Sequence, residues 1–106
     1  MKNKGNVYVE ERKETIRREI LEILKENTLS IKDISKIVKI PEKTVVGHLE
    51  HISKTITHEG LFLKVIPAVC LHCGFVFKKR DRMGKPGKCP MCKSEHIKEP
   101  LYKIEK

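Results

Sequence analysis

The sequence predicts an α+β fold: three helices, then a β-hairpin, with a cysteine-rich insert between the hairpin's two strands. Three observations carry this. Apolar residues recur at helical spacing through the first half of the chain. Two short β-prone runs, 61–66 and 101–104, stand far apart in the second half. Between them lie two C-x-x-C pairs, Cys70-Leu71-His72-Cys73 and Cys89-Pro90-Met91-Cys92, separated by residues 74–88.

The helices come first. The start of the chain, Met1 to Asn6, is polar, and the first helix is expected from about Glu11 to Lys25. Ile16, Ile20, Ile23 and Leu24 form its apolar stripe at three- and four-residue steps, opposite Arg17, Arg18, Glu22 and Lys25. Asn27 is a stop signal. Ser30 opens a second helix as N-cap, with Asp33 three residues on and Ile31, Ile34 and Val38 facing inward. Ile40-Pro41 interrupts that helix. Pro41 suits the first position of a third helix reaching about Thr55. Its inward face is read as Val45, Leu49 and Ile52, and its outward face as Lys43, Thr44, Gly47 and His48. Gly47 in mid-helix costs about 1 kcal/mol against alanine, so it calls for a reason. Close approach to a DNA backbone or to another helix supplies one.

After Gly60 the texture changes. Leu61 to Ile66 reads as a strand ended by Pro67, and Leu101 to Ile104 as another begun after Pro100. Antiparallel pairing gives each apolar strand a partner and hides an edge that would otherwise be bare. Three helices plus such a hairpin make a winged helix-turn-helix, with a ribbon inserted in the wing. The expected divisions are 7–66 for the helical core with the first wing strand, 67–99 for the ribbon and 100–106 for the closing strand.

The two cysteine pairs read as one four-thiolate metal site at Cys70, Cys73, Cys89 and Cys92. Each x-x gap lets both sulfurs of a pair reach one ion across a tight turn. Gly74 follows the first pair where positive φ is useful, and Pro90 fixes φ inside the second. Phe75 to Phe77 reads as a short strand, and Gly84, Pro86 and Gly87 break the connection. One zinc per chain is expected. Iron also suits a thiolate tetrahedron but is the less favoured ion. Disulfides would suit a secreted chain, yet no apolar leader follows Met1. A cytoplasmic setting, where thiols stay reduced, is the expectation.

Composition bounds the partners. The 106 residues carry 23 Lys and Arg against 14 Asp and Glu, a formal charge of +9. Residues 1–60 hold a net +2 and residues 61–106 a net +7. Such an excess fits a polyanion, above all nucleic acid. No run approaches the length of a membrane span. There is no glutamine, and Lys, Glu and Ile abound, a balance associated with hyperthermophiles. Enzyme chemistry is not expected: the sequence offers no open metal position, nucleophile–base pair or paired carboxylates.

Residues Thr44 to Ile52, T-V-V-G-H-L-E-H-I, resemble the third helix of winged-helix regulators of the ArsR/MarR type. Pro67 to Phe77, with Arg82, Pro86 and Cys89-Pro90-Met91-Cys92, resembles an archaeal family of predicted transcriptional regulators. Their helix-turn-helix is fused to a rubredoxin-like zinc ribbon. The likeness spans about residues 10 to 105 and implies DNA binding, with zinc on the four cysteines. One departure stands out, Lys93 where rubredoxin-type knuckles carry glycine. The implied partner is double-stranded DNA. Lys43, Thr44, Gly47 and His48 would lie at the major groove, and Lys78, Lys79, Arg80, Arg82, Lys85 and Lys88 on phosphates. A homodimer, with the segment Asn6 to Glu10 a candidate for its interface, and a protein of the transcription machinery docked on the ribbon are further expectations.

Overall fold

The structure, a computed structural model, describes the backbone of residues 2–78 and 83–106, and side chains from residue 12 onward within those spans. Helix α1 runs Lys2–Glu26, α2 Ile31–Val38 and α3 Glu42–Thr55. A single 3-10 turn, Ile56–Glu59, follows α3, and the strands are β1 Phe62–Ile66, β2 Val69–Cys70, β3 Ile97–Lys98 and β4 Leu101–Glu105.

Helix α1 starts at Lys2, well before the expected Glu11. No proline stands in that stretch, and one glycine does not stop propagation. The Asn6 to Glu10 side chains lie outside the described residues. The cap of α2 is as the sequence implied. Ser30 Oγ accepts the Asp33 N–H at 3.1 Å, and Asp33 Oδ2 accepts the Ser30 N–H at 3.2 Å, a reciprocal capping box. The helix ends on Lys39 in the left-handed region, φ 58°. Pro41 then sits at the N-cap of α3, one position earlier than expected, with φ −62° and ψ 150°. That extended ψ keeps it outside the helix.

One apolar core joins the helices to the long strands. Ile20 and Leu24 of α1, Ile31 and Ile34 of α2, and Val45, Leu49 and Ile52 of α3 are buried together with Ile56, Tyr102 and Ile104. Strands β1 and β4 pair antiparallel in the register Leu63↔Ile104, Lys64↔Lys103, Val65↔Tyr102, the pairing the two flanking runs implied. Tyr102 also exchanges both backbone hydrogen bonds with Leu29, at 2.7 and 3.0 Å, which ties β4 to the α1–α2 link.

The ribbon has its own small sheet, β2 with β3, which the sequence did not announce. The Phe75–Phe77 stretch is less than the expected strand. Val76 makes one isolated bridge to Val69, flanked by Cys70 N–H to Phe75 O and Phe77 N–H to Ala68 O. The rings of Phe75 and Phe77 meet edge to face at 5.0 Å. The ribbon is also anchored to the core. Met83 packs against the core cluster, and the Gly84 N–H donates to the Tyr102 hydroxyl at 3.0 Å. Among the described residues no helix is long and apolar enough to cross a membrane.

Candidate metal centre and helix surface

Two knuckles of nearly repeated geometry build the cysteine site. In the first, the Gly74 N–H returns to Cys70 O at 2.9 Å and the Cys70 N–H reaches Phe75 O at 2.8 Å. In the second, the Lys93 N–H returns to Cys89 O at 2.8 Å and the Cys89 N–H reaches Ser94 O at 2.9 Å. The fifth residue of each knuckle must turn left-handed. Gly74 does so at φ 82° without cost, and Lys93 does so at φ 63°. A Cβ in that region costs about 1–2 kcal/mol, so the lysine is tolerated there because the knuckle dictates its backbone.

The four sulfurs converge. Their Sγ atoms lie within 4.8 Å of one another. Cys70 and Cys92 are 3.5 Å apart, and Cys73 and Cys89 3.6 Å. A tetrahedron with Zn–S bonds of about 2.3 Å has edges of about 3.8 Å, so the donor set fits such an ion. Backbone amides aim at the sulfurs as well, Cys73 N–H at Cys70 Sγ (3.5 Å) and Met91 N–H at Cys89 Sγ (3.4 Å). The Cys73 amide is the main reason the Cys70 thiol is drawn down to about 6, against the opposing effect of burial. Cys92 goes the other way, up to about 12. The Ser94 amide favours its thiolate, but burial and the three neighbouring cysteines outweigh it. Four thiols this close cannot all ionise unless a cation offsets the charge, which is the condition a divalent metal satisfies. His72 is exposed and stands outside the cluster.

The second surface is α3. Lys43, Thr44 and Gly47 are exposed, as expected. His48 is not. It is 4 % exposed, and its Nδ1 accepts a hydrogen bond from Arg17 Nε of α1 at 3.2 Å. The reason is helical spacing. Residue 48 is three after Val45 and four before Ile52, so it shares their buried side. Burial, then the positive charges of Arg17, Lys13 and His51, hold its pKa below the usual histidine value. The outward histidine of this helix is His51, exposed, four residues after Gly47 and seven after Thr44. The same spacing brings Lys54 onto that face. Counting steps from the core positions would have found both. An alanine-like Cβ on Gly47 would meet nothing within 4 Å, so packing inside this chain does not require the glycine.

The ribbon cations are only partly in view. Lys78, Lys85 and Lys88 are exposed. Lys79, Arg80 and Arg82 lie outside the described residues. Lys85 and Gly84 share a cleft of about 100 Å³ with Lys43 and Val46 of α3. The ribbon's returning loop therefore meets the first turn of that helix.

Comparison with known proteins finds two family models along the chain. Residues 15–63 match the family model described as PF0610-like, N-terminal, and residues 67–106 match the PF0610 rubredoxin-like zinc beta-ribbon domain. The solution NMR structure of protein PF0610 from Pyrococcus furiosus is 38 % identical in sequence. The match covers 87 % of this chain and 90 % of that one, with a TM-score of 0.75. No curated protein matches. An α+β chain with three helices, small sheets and a four-cysteine zinc ribbon, similar over most of its length to that protein, belongs to the PF0610-like family.

Proposed function

We propose that this protein is a DNA-binding transcriptional regulator, not an enzyme. In this reading the three helices and the β1–β4 hairpin act as a winged helix-turn-helix, and the zinc ribbon is structural. The observation that carries it is Gly47. A glycine in the middle of a 14-residue helix, on its exposed face, with open space where a side chain would go, weakens the helix without easing any internal contact. The face around it holds Lys43, Thr44, His51 and Lys54, groups suited to phosphates and base edges. A duplex pressed against α3 would supply the reason for the missing side chain.

The formal charge of +9 supports a polyanion partner. Lys85, beside Lys43, and the other ribbon cations would contact phosphates and add affinity without sequence preference. The test is selection of bound duplexes from a random pool by the zinc-loaded protein. Enrichment of one shared sequence supports the reading, and a palindrome among the winners would indicate binding as a homodimer. A pool that stays random, with no duplex retained at low salt, contradicts it.

A second reading is favoured by one observation. Leu71 and Met91, one on each knuckle, are 66 % and 71 % exposed. Large apolar side chains held out on a rigid metal site suit a protein surface. A ribbon that docks on a transcription-machinery protein would use them. Changing both to serine would then abolish that docking and leave duplex binding intact.

A further inference from the structure

The cations first associated with phosphate contact lie on the ribbon, yet the structure gathers a second set on α1. A groove of about 240 Å³ runs between α1 and α3. Leu21, Ile52 and Ile56 contribute its apolar lining, Arg17 and Arg18 its positive charges, and His51 an imidazole. Arg17 is committed to the fold. It is half-buried, donates to His48, and pairs with Glu14 at 3.6 Å. Arg18 is different. It is exposed, and among the described residues it has no hydrogen-bond or ion-pair partner. Glu14 faces the groove already engaged by Arg17, and Glu59 enters with the 3-10 turn beyond α3.

Because His51 both lines this groove and shares the outward face of Gly47, the surface around α3 continues onto α1. We propose that Arg18 is a phosphate-contacting residue for duplex DNA, extending the α3 surface across the groove onto the first helix. This rests on the DNA-binding reading above. An arginine is suited to the role: its planar fork bonds two phosphate oxygens and stays charged at every working pH. The positive field on this side is felt inside the fold too, since Arg17, Lys13 and His51 all add to burial in depressing the His48 pKa.

The experiment uses the full zinc-loaded chain and measures equilibrium binding to a short mixed-sequence duplex and to the selected duplex across a salt series. Arg18→Ala is expected to flatten the slope of log K against log salt by about 0.9, the contribution of one phosphate contact, and to weaken both duplexes alike. Arg18→Lys should restore the slope. Arg18 is exposed, so circular dichroism of the variants should match wild type. If Arg18→Ala leaves slope and affinity unchanged while Lys43→Ala still weakens binding, the α1 contact is wrong and the DNA reading stands. A loss confined to the selected duplex would make Arg18 a base reader and overturn the phosphate role. Wild-type protein that binds neither duplex would overturn both.

Discussion

The helical core and the ribbon solve the same problem by different means. The core brings ten buried side chains from three helices, the 3-10 turn and β4 into one apolar cluster. Among its described residues, the ribbon between Pro67 and Glu99 buries few apolar groups. Those residues are held by two two-residue strands, an isolated bridge, the backbone hydrogen bonds of the two knuckles and four converging sulfurs. A segment so short cannot remove enough apolar surface from water to offset its chain entropy, and a metal supplies the difference. The contrast teaches where each region is vulnerable: the core to lost volume, the ribbon to lost charge balance.

The largest effect expected follows from that contrast. Structural zinc contributes on the order of 10 kcal/mol to a small module. Chelation, or Cys89→Ser, should unfold residues 70 to 92, leaving helical circular dichroism largely intact. Amide spectra would show ribbon signals collapsing while those of α2 and α3 persist. Simultaneous loss of both sets would mean that the regions are one cooperative unit joined through Met83 and Gly84. The converse perturbation is Leu49→Ala at the centre of the core, expected to cost about 2–5 kcal/mol. Chemical denaturation followed at 222 nm should register it, and zinc affinity should hardly change.

These vulnerabilities differ in how plainly they are written in the chain. The metal site was legible because C-x-x-C spacing is short-range: two sulfurs across one turn need no knowledge of the rest. The β1–β4 pairing was legible because two apolar strands flanking an insert have few other partners. The anchor of the ribbon was not. Gly84 meets the Tyr102 hydroxyl only once β4 is in place, and no local pattern announces a bond between a loop amide and a phenol 18 residues away. His48 is the instructive miss. The helical reading grouped it with Lys43, Thr44 and Gly47 on the outward face, but its spacing from Val45 and Ile52 puts it inside, paired with Arg17 of α1.

A smaller effect separates the regions by pH. The folded pKa of His48 lies below its unfolded value of 6.5, so the unfolded chain takes up the proton first. Stability is therefore full above about pH 6.5 and declines as pH falls from there toward the depressed folded value. The denaturation midpoint of the helical core should drift down across that window, and His48→Gln should remove much of the drift. An unaltered pH profile in His48→Gln would show that this histidine is not the group responsible.

The most direct test of the functional claim is Gly47→Ala, read twice. The Cβ meets nothing within 4 Å, and alanine is the better helix former by about 1 kcal/mol. The account predicts a core more stable by about that amount in denaturant, together with weaker binding to the selected duplex, because the space was kept for the ligand. Equal or tighter duplex binding by the stabilised variant would contradict it, and the glycine on the face of α3 would then have no part in contacting DNA.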